Sequence, residues 1–370
     1  GDLDLYLVQG GRIPDTENGE PAPNRFYRNL GDGTFRDDTE ASGAGDTSYG
    51  MGAAAADVDN DGDTDLYLTN IGPDVLLIND GQGRFEDRTQ AAGLGDDGFG
   101  AGSAFADFDG DGLLDLYVTV YMPWSPDVER PCQDRTGVPE YCNPTNYPSG
   151  QDRIYRNRGD GTFEDLTAQS GIDDHPSFGL GAVTADFDGD GRIDIYVAND
   201  HTPNYLWMNQ GGFRFTEEAT ERGCAYNGAG QPEASMGLVC EDVDADGDPD
   251  LYVTHFARET NTFYRNDGGF FTDDTDAVGF GAHSFNDTTF GVGAFDLDND
   301  GRQEMLLLNG SVMRVEQPER PENPYAIRNR LLRIGRDGRF TDITADAGPA
   351  FDSVEMSRAA LFGDYDNDGD

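Results

Sequence analysis

Hydrophobic and polar positions recur along this chain as a four-part pattern. The first part is a run of small and apolar residues, such as Gly50-Met-Gly-Ala-Ala-Ala-Ala56. The second alternates, as in Asp65-Leu-Tyr-Leu-Thr69, the period-two signature of a half-buried strand. The third and fourth form a hairpin around a Gly-x-Gly turn. It appears as Phe26-Tyr-Arg-Asn-Leu-Gly-Asp-Gly-Thr-Phe35, Leu76-Leu-Ile-Asn-Asp-Gly-Gln-Gly-Arg-Phe85 and Ile154-Tyr-Arg-Asn-Arg-Gly-Asp-Gly-Thr-Phe163. Looser copies lie near Met208, Arg265 and Ile334, and Gly-rich connectors such as 92–100 lead to the next unit. Tandem four-stranded units of roughly 40 to 60 residues predict an all-β fold, a β-propeller whose small first strands crowd a central axis.

An acidic turn joins the first part to the second. In Asp57-Val-Asp59-Asn-Asp61-Gly62-Asp63-Thr-Asp65, carboxylates hold positions 1, 3, 5 and 9, with Gly at position 6. Alternate carboxylates on a sharp turn supply the oxygens that a hard cation such as Ca²⁺ requires, and the seventh residue adds its carbonyl. An EF-hand would close with Glu at position 12 between helices; here the ninth residue closes a loop between strands. Copies occur at Asp107, Asp109, Asp111, Leu113 and Asp115, then at Asp186, Asp188, Asp190, Arg192 and Asp194. Another holds Asp242, Asp244, Asp246, Asp248 and Asp250, and a fifth, Asp296, Asp298, Asp300 and Arg302, closes with Glu304. The last, Asp364, Asp366, Asp368 and Asp370, is cut short, and residues 1–6, which include Asp4, read as the missing second half. Any one copy reads equally as a solvated turn. Six copies in phase with the strands argue for about six Ca²⁺.

The chain of 370 residues carries 72 acidic and 25 basic side chains, a formal charge of −47. Six Ca²⁺ would leave −35. This sign disfavours nucleic acid and anionic membrane surfaces as partners. No run approaches 18 apolar residues, so no membrane span is expected. The sequence opens mid-motif without Met, so the lack of a leader says nothing about export. The cysteines fall as two local pairs, Cys132/Cys142 and Cys224/Cys240, and proximity favours these bridges over free thiols. Each bridge would contribute ~3 kcal/mol. Such pairs beside calcium loops indicate an extracellular or cell-surface setting, or a periplasmic one. Asn286 and Asn309 open candidate glycosylation tripeptides.

Two insertions break the period. Residues 121–151 hold Tyr121, Trp124, Tyr141 and Tyr147, whose rings suit either packing on the blade or stacking on a sugar or protein partner. Residues 310–328 carry Pro318, Pro321 and Pro324. His175, His201, His255 and His283 fall in no HExxH or triad-like spacing, and no catalytic set stands out. His201 and His255 share one blade position, where they would line a face of the ring.

In these loops and hairpins the units resemble FG-GAP/VCBS repeats, the calcium blades also found in integrin α subunits. The ensemble is similar to the bacterial ASPIC/UnbV and cartilage-acidic-protein-like group. That resemblance covers essentially the whole chain and implies an extracellular propeller with Ca²⁺ in each blade's first hairpin, commonly with seven blades. If residues 1–38 and 356–370 combine into one composite blade, a single six-bladed domain closes, its last ion held by Asp364, Asp366, Asp368 and Asp4. Alternatively, one molecule's end completes the next molecule's blade, and propellers polymerise. The function expected is a structural or protein-interaction module for adhesion or assembly, with a protein partner or self-association. A glycan-binding propeller is the alternative, and a polysaccharide-active enzyme such as a lyase is the second alternative.

Overall fold

The computed structural model describes residues 3–11, 13, 22–95, 97–128, 130–133, 137–243, 246–315, 318–335 and 337–366. Its strands follow one another in antiparallel units of four. The second unit comprises Tyr49–Ala56, Asp65–Ile71, Val75–Asn79 and Phe85–Asp87. The third comprises Phe99–Ala106, Asp115–Met122, Arg153–Asn157 and Phe163–Asp165. The fourth runs from Gly179–Ala185 through Asp194–Asn199 and Tyr205–Asn209 to Phe215–Glu217. Leu238–Glu241, Asp250–Val253, Thr262–Asp267 and Phe270–Asp273 form the fifth. Thr289–Phe295, Glu304–Asn309, Arg330–Ile334 and Phe340–Asp342 form the sixth. The first has three strands, Leu5–Leu7, Arg25–Asn29 and Phe35–Asp37.

The cores lie between successive units. Tyr67, Leu76, Leu116 and Tyr155 join the second unit to the third; Tyr117, Ile154, Ile195 and Trp207 join the third to the fourth. Tyr196, Leu206, Leu251 and Tyr264 continue the series, followed by Tyr252, Phe263, Met305 and Leu332. A second strand therefore packs on both faces. All seven residues of Asp65–Ile71 are buried, so the alternation read as half-buried instead divides the strand between two neighbours.

Small residues in the first strands have a direct cause. A Cβ added at Gly52 would lie 2.9 Å from Ala101 O, and one at Gly102 would lie 2.6 Å from Leu180 O. Successive first strands thus meet backbone to backbone, which a larger side chain would prevent.

The last strand of each of the first five units runs into a one-turn helix that the sequence reading did not anticipate, because four residues carry no amphipathic period. Examples are Thr39–Ser42, Thr89–Ala92, Thr167–Ser170 and Thr275–Val278. The leading Thr fastens the turn to the third strand: Leu76 N donates to Thr89 Oγ1 at 2.8 Å, and Phe263 N to Thr275 Oγ1 at 2.9 Å.

Residues 356–366 touch both the first and the sixth unit. Phe362 lies 4.1 Å, centroid to centroid, from Phe295, and Asn29 Nδ2 donates to Tyr365 O at 2.5 Å. In the first insertion, Cys132–Gln133 pairs with Pro139–Glu140, and a disulfide links Cys132 to Cys142. The second insertion reaches it through Arg314 N and Glu140 Oε2, 3.4 Å apart. Tyr121 packs against Phe99 and Phe178, whereas Tyr141 is 73 % exposed. Among the described residues no helix is long and apolar enough to cross a membrane.

The second disulfide does not form. Cys224 and Cys240 are free thiols in the same core between the fourth and fifth units. The Cys224 backbone is fixed by Tyr196 OH on its carbonyl and by Ala219 O on its N–H, while Cys240 is held in strand register with Leu251. Nearness in sequence is not enough for a bridge, which needs a specific Cα separation and Cβ direction. Burial raises both thiols, Cys240 to about 12. Thiol reagent is therefore expected to label neither cysteine in the native protein and both after denaturation without reductant; labelling of none after denaturation would show a bridge.

Asn309 also departs from expectation. It is buried, with Nδ2 on Arg328 O, so the folded chain cannot present it for glycosylation, whereas Asn286 is exposed.

Candidate metal centres

The acidic loops share one construction. The first Asp accepts two backbone N–H groups of its own turn: Asp57 takes Asp61 N at 3.1 Å and Gly62 N at 3.0 Å, and Asp186 takes Asp190 N at 3.0 Å and Gly191 N at 2.8 Å. Asp107, Asp242 and Asp296 do the same. The sixth residue has positive φ in every complete loop, 95° at Gly62 and 86° at Gly191, which explains the glycine. The fifth Asp accepts the N–H of the seventh residue, at Asp63, Leu113, Arg192, Asp248 and Arg302 alike.

The ninth carboxylate is buried and doubly clamped. Asp115 Oδ2 accepts Phe108 N and its Oδ1 accepts Asn157 N, both at 2.9 Å. Asp65, Asp194 and Asp250 repeat the arrangement with Asn79, Asn209 and Asn266. Asp4 accepts Asn29 N at 2.7 Å in the same way. Glu304 accepts Leu297 N, but its other oxygen takes Arg333 Nε at 2.9 Å. These third-strand asparagines recur before the hairpin turn in the first five units, at Asn29, Asn79, Asn157, Asn209 and Asn266, and the sequence reading gave them no role. Their period was the signal available.

The carboxylates converge. Oxygens of Asp57, Asp59 and Asp61 lie within 4.8 Å of one another, as do those of Asp107, Asp109 and Asp115, of Asp186, Asp188 and Asp194, and of Asp296, Asp298 and Asp300. Asp244, Asp368 and Asp370 lie outside the described residues, and Asp4 joins no described cluster with Asp364 and Asp366. Asp109 Oδ1 and Asp188 Oδ1 are buried without a hydrogen-bond donor. Burial raises Asp65 to about 6 and Asp115 and Asp194 to about 7. Nearby arginines offset only part of the charge: Arg156 lies 2.6 Å from Asp109 and 3.2 Å from Asp111, Arg222 lies 3.2 Å from Asp188, and Arg333 lies 2.6 Å from Asp298. An all-oxygen donor set with orphaned, converging oxygens fits a hard divalent cation and not a thiophilic one.

A model of the FG-GAP-like repeat matches residues 1–68, 57–118, 141–197, 186–253 and 242–307. The chain belongs to the FG-GAP repeat family. Its repeats are similar to cartilage acidic protein 1 of Xenopus tropicalis, 31 % identical over 120 residues, and of Homo sapiens, 29 % over 128 residues. These stretches cover 32 % and 34 % of this chain but only 17 % and 18 % of the relatives' length. Among solved structures, an Agrocybe aegerita lectin described as recognising non-reducing terminal N-acetylglucosamine aligns over 92 % of this chain and 79 % of its own, with 18 % identity and TM-score 0.46. A rhamnogalacturonan lyase of Bacillus licheniformis aligns over 92 % and 53 %, with 16 % identity and TM-score 0.42. At these scores neither likeness carries a functional argument.

At the opposite end of the strands, the FG-GAP chain brings together residues that sequence spacing did not connect. Ser235 Oγ lies 3.4 Å from His255 Nδ1, and His255 Nε2 lies 3.3 Å from Glu233 Oε2, which also accepts Thr262 Oγ1 at 3.0 Å. The order is that of a nucleophile, base and acid, yet Ser235 and His255 are 0 % and 1 % exposed, so the group is a sealed structural network. His255 therefore does not line a face of the ring, as expected from its blade position; partly exposed His201 lies beside Asp200. Burial lowers His255 to about 3 and raises Glu233 to about 7. Raised in the folded state, Glu233 adds stability that is full below its unfolded value of 4.5 and lost as pH rises through about 7. Glu233→Gln should accordingly be more stable than wild type at alkaline pH, by about 3 kcal/mol at most, with the gap closing in acid. Urea titrations across pH measure this, and a pH-independent difference would contradict it.

Proposed function

We propose that this protein is a calcium-stabilised extracellular β-propeller, a single domain that serves as a structural or protein-interaction module in adhesion or assembly. The observation that carries the reading is the set of converging loop carboxylates, with buried oxygens of Asp109 and Asp188 left without a donor. In the loaded protein, positions 1, 3, 5 and 9 of each loop would hold Ca²⁺, with the seventh carbonyl completing the set. The ions would neutralise part of the −47 charge and rigidify the turns between first and second strands. The disulfide in the first insertion supports an oxidising compartment. Contacts of residues 356–366 with both end units bring the two ends of the repeat series together, as closure of a ring requires. The cross-braced insertions, with Tyr141 exposed on the disulfide-tied one, form the surface best suited to a partner.

Thermal melting with calcium and with excess chelator tests the metal reading, and light scattering on both samples registers self-association. A melt indifferent to chelation would end the calcium-stabilised reading.

A further inference from the structure

We infer that successive cation loops load cooperatively, coupled by the asparagines that end the third strands; this rests on the metal reading of the loops. The coupling is a continuous series of buried hydrogen bonds. In the loop beginning at Asp57, the second residue donates its N–H to its own ninth carboxylate, Val58 N to Asp65 Oδ2 at 3.0 Å. The carbonyl of that same Val58 accepts Asn157 Nδ2 from the next unit at 2.7 Å. Asn157 in turn donates its backbone N–H to Asp115, the ninth carboxylate of its own loop, at 2.9 Å.

The series then repeats. Phe108 N donates to Asp115 at 2.9 Å, and Phe108 O accepts Asn209 Nδ2 at 2.9 Å, while Asn209 N holds Asp194 at 2.8 Å. Phe187 N donates to Asp194 at 3.1 Å, Phe187 O accepts Asn266 Nδ2 at 3.0 Å, and Asn266 N holds Asp250 at 2.8 Å. Four loops are thereby joined carboxylate to carboxylate through the backbone of one loop residue and the side-chain amide and backbone N–H of one asparagine at each step. Asn157, Asn209 and Asn266 are all buried, so water cannot substitute for these bonds without opening the interface.

The mechanism follows from the shared ninth residue. An ion that fixes the Asp115 carboxylate also fixes the N–H groups of Phe108 and Asn157. Fixing Asn157 sets the turn of the loop at Asp57, and fixing Phe108 sets the acceptor for Asn209. The neighbouring loops then lose less conformational freedom when their own ions bind. The fifth loop stands outside the series. Its unit ends the third strand with Ile334, which has no side-chain donor, and its Glu304 is held by Arg333 instead of an asparagine N–H.

Asn157, Asn209 and Asn266 are thus positioning residues, and Asn79 provides a matched control. The Asn79 amide donates to Thr64 O of its own loop and to no other loop among the described residues. The experiment is Ca²⁺ titration of the chelator-stripped full chain by calorimetry, with bound ions counted by native mass spectrometry. Wild type should show a cooperative four-ion set with a Hill coefficient clearly above one, beside a separate independent site. Asn209→Ala should lower the Hill coefficient and weaken the set about fivefold, at the modest end of site-to-site coupling, while binding the same number of ions. Asn79→Ala should leave the Hill coefficient unchanged, which a general loss of stability would not do.

If Asn209→Ala does not fold, Asp107→Ala provides the second arm. Coupled loops then lose both one ion and the affinity of their neighbours, whereas independent loops lose one ion only. Four or more ions bound with a Hill coefficient of one would overturn the coupling and leave the metal reading standing. No bound calcium would overturn both.

Discussion

In excess chelator the protein should melt about 9 °C below its melting temperature in ~1 mM Ca²⁺. The size follows from loop count and affinity. Extracellular calcium modules bind at roughly 10⁻⁴–10⁻³ M, and at the tighter limit ~1 mM Ca²⁺ stabilises each site by about 1.4 kcal/mol. Five complete loops give about 7 kcal/mol, comparable to the whole stability of a typical domain. Spread over the unfolding entropy of 370 residues, at about 2.1 cal/mol/K each, that is about 9 °C. Calorimetric melting with and without chelator measures it. Coincident melts would mean that the turns hold their shape without metal.

The repeat was legible in the sequence because its two strongest signals, the Asp-x-Asp-x-Asp-Gly loop and the Gly-x-Gly hairpin, are local. Each is set by turn geometry within nine or ten residues, and the structure keeps both. Features that depend on packing between units were not legible. Residues 65–69 read as a half-buried strand, and only the neighbouring units decide that both faces of Leu66, Tyr67 and Leu68 are covered. The Cys224/Cys240 pair looked like a bridge because the two are close in sequence, whereas bridging depends on Cβ direction across a core. The role of Asn157 left no local signal because its partner, Val58, belongs to a different unit 99 residues away.

The ninth and third positions of one loop should behave differently, and this contrast carries the second large effect. Asp65 is a proposed ligand, but it is also the buried acceptor for Val58 N and Asn79 N. Asp65→Ala strands both donors and, at roughly 1.5–3 kcal/mol for each hydrogen bond to a charged group, should cost about 3–6 kcal/mol. That loss should persist in chelator, because the clamp is made by backbone and not by metal. Asp59 is exposed and belongs to the Asp57–Asp61 cluster, so Asp59→Ala should cost at least one site, ~1.4 kcal/mol or more in calcium, and close to nothing in chelator. Denaturant titrations of both variants in both conditions separate the roles. Equal losses in chelator would show that position 3 also supports the turn directly; equal losses confined to calcium would show that the ninth-residue clamp adds little.

The most direct test of the central claim is a count of bound calcium. Native mass spectrometry of the full chain, equilibrated in ~1 mM Ca²⁺ and desalted gently, should show five or more ions per chain. Asp59→Ala and Asp190→Ala should each show one fewer. A chain that carries no calcium under these conditions would contradict the account, leaving the acidic loops as turns held by their own hydrogen bonds.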